Sequence, residues 1–107
     1  MSDLRFVYIT ASSVDEAAMI GRALVEERLA ACVNILPGMR SIYRWQGAIE
    51  SADEVVLIAK SRSALVTALV ARVRQLHSYD VPCVVSLPIL DGNPDYLQWL
   101  AEETAAP

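Results

Sequence analysis

Residues 31–60, ACVNILPGMRSIYRWQGAIESADEVVLIAK, predict a long β-hairpin around which the rest of the chain is organised. The first arm runs from Ala31 to Gln46 and the second from Ile49 to Lys60, with Gly47 at the turn. Pro37-Gly38 interrupts the first arm, and a bulge or kink of this kind is tolerated only at a sheet edge. The apolar centre of the second arm is typical of a strand covered on both faces.

The segments on either side of the hairpin alternate between strand and helix patterns. Ser13 and Glu16 form a capping-box signature, and the apolar stripe of the helix that follows includes Val14, Gly21 and Val25. The other predicted elements are a strand at residues 5–10, a helix from Ser61 or Ser63 to near His77, a strand at residues 83–90 and a short helix opened by Asn93-Pro94.

The order strand, helix, hairpin, helix, strand, helix predicts an α+β, ferredoxin-like fold. This split βαβ arrangement has an antiparallel sheet with helices on one face, and here an extra C-terminal helix. A chain of 107 residues can close one hydrophobic core without disulfides, so we expect a single domain over residues 1–107. Only the Ala-Ala-Pro end is expected to fray.

The hairpin is too long for a small globule. An arm of about fifteen residues extends roughly 50 Å at ~3.3 Å per residue, whereas the radius of gyration of such a chain is about 13 Å. The tips must bend sharply or lie against another subunit. Tyr43 and Trp45 share one face of the first arm and are predicted to anchor such an assembly.

Composition narrows the classes of partner. Hydrophobic residues make up 54% of the chain and the mean hydropathy is +0.34, yet no apolar run is long enough to span a bilayer. A net charge of -4 disfavours nucleic acid. Cys32 and Cys83 form no CxxC pattern, and the N-terminus has no signal-like segment, so free thiols in a reducing cytoplasm are expected.

Several motifs of the chain, in this order and at this spacing, resemble the CutA divalent-cation tolerance family. They are ACVNILPG at residues 31–38, SIYRWQG at 41–47, EVVLIAK at 54–60, HSYDVP at 77–82 and YLQWL at 96–100. The resemblance covers nearly the whole chain. It implies a ferredoxin-like protomer similar to the PII signalling proteins, a tight cytoplasmic homotrimer, and tolerance to divalent cations, with copper binding in some members and no established catalytic residues.

The chain departs from the pattern of the copper-binding members. They are similar to one another in having a Cys at the end of the first strand and two adjacent His before the Tyr loop. Here Ile9 stands in the strand, Leu76-His77 precedes the loop, Ser78 stands where Pro is common, and Cys83 occupies a usually acidic position. A metal site built differently from theirs is therefore expected, if this chain has one.

Two overlapping sets of site residues are predicted. Lys60, Tyr79, Glu54 and His77 are expected to line a ligand-binding cleft, and His77 with Cys83 to hold a divalent metal ion such as copper, with Asp80 adding charge.

For these residues, a purely structural role is the alternative to a role in binding. His77 could be a cation near the carbonyls of its own helix, and Cys83 a small apolar residue entering a buried strand. Lys60 could form a salt bridge, and Cys32 is read as an inert buried thiol. No nucleophile, base and acid stand together in the pattern of an esterase or protease, so catalysis is not expected.

The leading hypothesis is a trimeric binding protein with three equivalent clefts between subunits, each taking a small anionic ligand or a metal ion. The alternatives are a structural trimer and a PII-like small-molecule signalling protein without metal binding. Neither nucleic acid nor a membrane is an expected partner.

Overall fold

A computed structural model describes residues 3–105, in which four antiparallel strands form one sheet and three α-helices pack on it. The elements are β1 (Leu4–Ala11), α1 (Val14–Glu26), β2 (Cys32–Trp45), β3 (Ala48–Arg62), a short 3-10 turn (Ser63–Leu65), α2 (Val66–Leu76), β4 (Val84–Pro88) and α3 (Pro94–Glu103). The strand order β2-β3-β1-β4 is that of a ferredoxin-like sheet. The predicted α+β fold is confirmed. Fraying was expected of the Ala-Ala-Pro end at residues 105–107, of which 106 and 107 lie outside the described range.

The start of α1 differs slightly from the predicted capping box. The Ser13 hydroxyl accepts a hydrogen bond from the Glu16 backbone N–H at 3.1 Å, as expected of an N-cap. The Glu16 carboxylate does not return to Ser13. Its Oε1 atom accepts from both the backbone N–H and the hydroxyl of Ser12, at 2.9 and 2.8 Å. Glu16 is thereby directed toward the end of β1.

α1 packs closely on the sheet through a glycine. A Cβ atom on Gly21 would lie 2.8 Å from Val33 Cγ2, so only glycine permits this approach between helix and strand. The buried side of α1 also includes Ile20 and Leu24. Val14 and Val25, predicted to belong to the buried stripe, are exposed, because the sheet contacts a narrower arc of the helix than the apolar pattern covers.

The hairpin stays paired to its tip. A bulge separates Leu36 from Met39, with Gly38 at φ 86°, and β2 pairs only with β3, so Pro37 lies on an edge strand as predicted. Gln46 and Gly47 both have positive φ, which is the two-residue turn that matches the twist of paired strands. Residues 42–51 are exposed on both faces, and the molecule measures 44 Å along its longest axis.

The two faces of the sheet are covered unequally. Val55, Leu57 and Ala59 point toward the helices and are buried, whereas Val56 and Ile58 on the other face are only partly buried. The prediction that β3 is covered on both faces is therefore only partly met within the chain. On the second face α3 covers the end of the sheet near Arg62, whose guanidinium donates to Thr104 Oγ1 at 3.0 Å and to the Ala101 carbonyl.

The rest of the second face is apolar and open. Strand pairing places the following side chains together on it: Leu36, Val56, Ile58, Tyr8, Val85 and Leu87. Leu36, Val85 and Leu87 are each about half exposed. We call this group the open sheet face.

Candidate functional site

A cavity of about 570 Å³ lies between the outer part of the hairpin and the segment that joins α2 to β4. We call it the hairpin cavity. A volume of this size is in the usual range for small-molecule sites. Its walls combine aromatic, aliphatic and acidic side chains with small polar ones: Thr10, Ser41, Ile42, Tyr43, Trp45, Glu54, Tyr79, Asp80, Val81 and Cys83.

Glu54 and Tyr79 meet in the wall of this cavity. The Tyr79 hydroxyl donates to Glu54 Oε2 at 2.8 Å. Burial raises the pKa of Tyr79 to about 12, with the hydrogen bond to the Glu54 carboxylate adding to the effect. Tyr79 therefore keeps its proton at neutral pH and acts as a fixed donor that orients Glu54.

His77 begins the segment that joins α2 to β4, and its side chain is fully buried behind the cavity wall. Its Nδ1 accepts a hydrogen bond from the Tyr79 backbone N–H at 3.0 Å, so the ring proton is on Nε2, which donates to the Thr10 carbonyl at 2.7 Å. The ring is thus neutral and bonded to β1. The alternative reading of His77 as a cation near the carbonyls of its own helix is wrong.

Glu16 holds the same segment from α1. Its Oε2 accepts from the Ser78 backbone N–H at 2.7 Å while its Oε1 is bonded to Ser12. Burial by itself would raise the pKa of Glu16, but the hydrogen bonds from Ser12 and Ser78 outweigh it and lower that pKa from 4.5 to about 2. The carboxylate is therefore ionised throughout the physiological range.

Cys83 stands at the cavity wall directly before β4. It is exposed, so the reading of a thiol entering a buried strand is wrong. Partial burial raises the pKa of the Cys83 thiol, and the charge of Glu54 raises it further. The negative field of Glu54 therefore reaches across the cavity.

The predicted metal pair, His77 and Cys83, stays a prediction. Both ring nitrogens of His77 are already hydrogen bonded, so coordination would have to replace one of those bonds. Within residues 3–105, no group of three or more His, Cys, Asp and Glu side chains is arranged to hold a metal ion. A closed site would need ligands from outside this chain.

Lys60 lies apart from the other predicted ligand residues. Its ammonium donates to Asn34 Oδ1 at 2.8 Å and lies 5.7 Å from the centre of the Tyr96 ring. Cys32, read as a buried thiol, is only partly buried, and its Sγ lies 3.4 Å from the Tyr96 hydroxyl. Of the four predicted ligand residues, only Glu54 and Tyr79 line the hairpin cavity, with His77 behind Tyr79.

Several residues of the cavity and its support were not predicted from the sequence to belong to the site. Tyr43 and Trp45, predicted as assembly anchors, line the cavity and are 43% and 48% exposed. Thr10 was read only as the end of a strand. Glu16 was recognised as a helix cap, but no local pattern indicates that a cap also binds a loop 62 positions away.

Comparison with known proteins gives consistent matches. Residues 5–103 match the family model described as CutA1 divalent ion tolerance protein. The divalent-cation tolerance protein CutA of Thermus thermophilus is 52% identical over 98 residues, which are 92% of this chain and 95% of that protein. Protein CutA of Homo sapiens is 46% identical over 97 residues, 91% of this chain but 54% of that protein. This chain thus spans about half the length of its human, mouse and plant relatives.

Solved structures agree with these sequence matches. CutA from Xylella fastidiosa superposes with a TM-score of 0.93 at 40% identity, covering 97% of this chain and all of that one. The Thermus thermophilus divalent cation tolerance protein superposes with a TM-score of 0.93 at 50% identity, covering 95% of this chain and 99% of that one. In the part of the chain that the structure describes, no helix is long and apolar enough to cross a membrane.

The Glu16 anchor predicts a pH-dependent contribution to stability. Its pKa is lower in the folded chain than the ordinary 4.5, so the ionised form stabilises the fold above that pH and the effect is lost as pH falls toward about 2. Glu16→Gln should lower the free energy of unfolding by roughly 2 kcal/mol at pH 7, which is less than the full pKa shift corresponds to because solvent screens part of the interaction. The difference from the parent chain should vanish near pH 2.

Denaturant unfolding at several pH values measures this difference. Glu26→Gln is the matched control, because Glu26 lies on the same helix in an exposed pair with Arg22 at 3.9 Å. Such a pair contributes less than about 1 kcal/mol. A Glu16→Gln defect that stays constant down to pH 2 would contradict the assignment of the anchor to the ionised carboxylate.

Proposed function

Because the chain belongs to the CutA1 divalent ion tolerance family, we propose that it binds a cation in the hairpin cavity, as a cytoplasmic homotrimer that serves divalent-cation tolerance, including tolerance to copper. The protein is proposed to act by binding and to catalyse no reaction. The alternatives, a structural trimer and a PII-like signalling protein, keep the assembly and omit the metal.

The charge of the hairpin cavity carries this proposal. Glu54 and Asp80 line it, and no Lys, Arg or His side chain does so among residues 3–105. Tyr79 fixes one oxygen of Glu54, which leaves the other available to a ligand. A cavity with this lining favours a cation over the small anion that was the other candidate ligand, because Lys60, the basic residue expected there, lies elsewhere.

The open sheet face supports assembly. Leu36, Val85 and Leu87 would leave a contiguous apolar surface in water, and soluble chains cover such surfaces with a partner. β2 and β4 are also the two edges of the sheet, where unpaired backbone groups can bond to another copy. Both features suit a closed homo-oligomer.

Assembly would also complete the site. A bound divalent ion takes four or more ligands, and one chain offers Glu54, Asp80 and Cys83 in the cavity wall without forming a closed set. A neighbouring subunit packed on the exposed hairpin could supply the rest. The proposed ligand position is therefore a seam between subunits.

The proposed compartment rests on composition. Cys32 and Cys83 are both unpaired, which suits a reducing cytoplasm. Relatives differ in this respect: the Arabidopsis thaliana protein is named chloroplastic, and the Archaeoglobus fulgidus structure is described as periplasmic.

The assembly proposal predicts a particle of about three times the 11.7 kDa chain mass in light scattering at micromolar concentration. Leu87→Glu, on the open sheet face, should shift the particle toward monomer and make the melting temperature depend on protein concentration, because a charge there would be desolvated on assembly. Val14→Glu is the control, since Val14 is equally exposed on α1. A monomeric parent chain would remove the basis for a site between subunits.

The binding proposal predicts saturable binding of Cu²⁺ or Zn²⁺ in titration calorimetry, up to one ion per chain. Glu54→Gln should weaken it at least ten-fold, about 1.4 kcal/mol, while Asp53→Asn should not, since Asp53 pairs with Arg40 outside the cavity. Affinity should fall at lower pH because protons compete for the ligands. Full affinity in Glu54→Gln together with loss in His77→Ala/Cys83→Ala would move the ion to the predicted metal pair.

A further inference from the structure

The hairpin cavity is much larger than a bare metal ion needs. Metal–ligand bonds are roughly 2–2.6 Å long, whereas the cavity encloses about 570 Å³. Its remaining walls include two aliphatic side chains, Ile42 and Val81, and two aromatic rings, Tyr43 and Trp45. Apart from the Tyr43 hydroxyl, these groups offer no ligand to a metal ion, but they can contact an apolar body.

We propose that the hairpin cavity takes a small organic cation, an ammonium group carried on an apolar body, and this inference rests on the proposed function only in placing a cation there. The ammonium group is bound near Glu54 and the apolar body against the aliphatic and aromatic wall. Aromatic faces attract cations as well as apolar groups, so Tyr43 and Trp45 suit both parts of such a ligand.

Thr10 places a second polar group on the cavity wall. The residue is 8% exposed and lines the cavity, and its hydroxyl makes no hydrogen bond to any group in residues 3–105. Every side-chain N or O atom that is fully buried in this range has a hydrogen-bond partner, so the Thr10 hydroxyl is open to the cavity and can accept from a ligand. An ammonium has three donors and no acceptor, so it can donate to the Thr10 hydroxyl and to Glu54 together.

The register of the sheet makes this pair of contacts possible. Thr10 is directly opposite Val56 on β3, and Glu54 is two residues before Val56 on the same face. Diagonal neighbours of this kind are roughly 7–8 Å apart across a strand pair, a gap that a group bonded to both side chains can bridge. Glu54 is held there by Tyr79, so the acceptor is fixed before a ligand arrives.

The chain contains one example of the same recognition. The Lys60 ammonium donates to Asn34 Oδ1 at 2.8 Å and lies 5.7 Å from the centre of the Tyr96 ring. Outside the cavity, then, this molecule already holds an ammonium between one oxygen acceptor and an aromatic ring. The cavity repeats that combination with Glu54 as the acceptor and adds a negative charge.

Calorimetric titration with three compounds of one size tests the proposal: n-butylammonium, n-butanol and n-butyrate. The parent chain should bind n-butylammonium saturably and at least ten-fold more tightly than the other two. Glu54→Gln should abolish this preference, and Asp53→Asn, which removes the same charge at a residue 82% exposed and paired with Arg40, should keep it. Equal affinity for n-butanol, or no saturable binding of n-butylammonium, would overturn the proposal.

A second variant and a second ligand keep the test decisive. If Glu54→Gln fails to fold by circular dichroism, Thr10→Val, which preserves shape, should reduce the preference at least three-fold, and an unchanged preference would overturn the proposal. Cu²⁺ titration of the same parent chain separates the two claims. Saturable Cu²⁺ binding without n-butylammonium binding refutes this inference and leaves the proposed function standing, whereas the reverse result supports this inference and refutes the copper proposal.

Discussion

The Glu16 carboxylate is the interaction on which the candidate site depends. One oxygen accepts from Ser12 at the end of β1. The other accepts from the backbone N–H of Ser78, which lies 62 positions after Glu16. The buried His77 ring adds a parallel connection from the Thr10 carbonyl to the Tyr79 backbone. Together these bonds fix the segment after α2 against β1. Tyr79 and Cys83 consequently face the hairpin, and a cavity forms between them.

Much of the fold was predictable because the relevant signals are local. The alternation of the hairpin arms, the glycine of its turn, the edge-strand proline and the serine cap each depend on neighbouring residues. The sequence also allowed Glu54 and Tyr79 to be predicted in one cleft. It did not allow the position of Lys60 to be predicted. Lys60 and Glu54 share a strand face, but six residues separate them by about 20 Å at ~3.3 Å per residue, so a common face did not mean a common site.

Other parts of the site depend on contacts that no sequence period records. The tautomer of His77 is set by the Tyr79 N–H and the Thr10 carbonyl, which come from different elements. The unpaired Thr10 hydroxyl is evident only when the cavity beside it is known. The second face of β3 appeared fully covered from its apolar sequence, yet α3 covers one end of it, and the proposed assembly accounts for the rest.

The central claim is that Glu16 and His77 hold the segment beside the cavity in place before any ligand binds. Amide hydrogen exchange of Ser78 and Tyr79, followed by NMR at pH 7 in the ligand-free protein, measures this directly. The two amides are predicted to exchange at least about a hundred-fold more slowly than in an unstructured chain, because each donates to a fixed side-chain acceptor. Exchange of both amides at the unprotected rate would contradict the account.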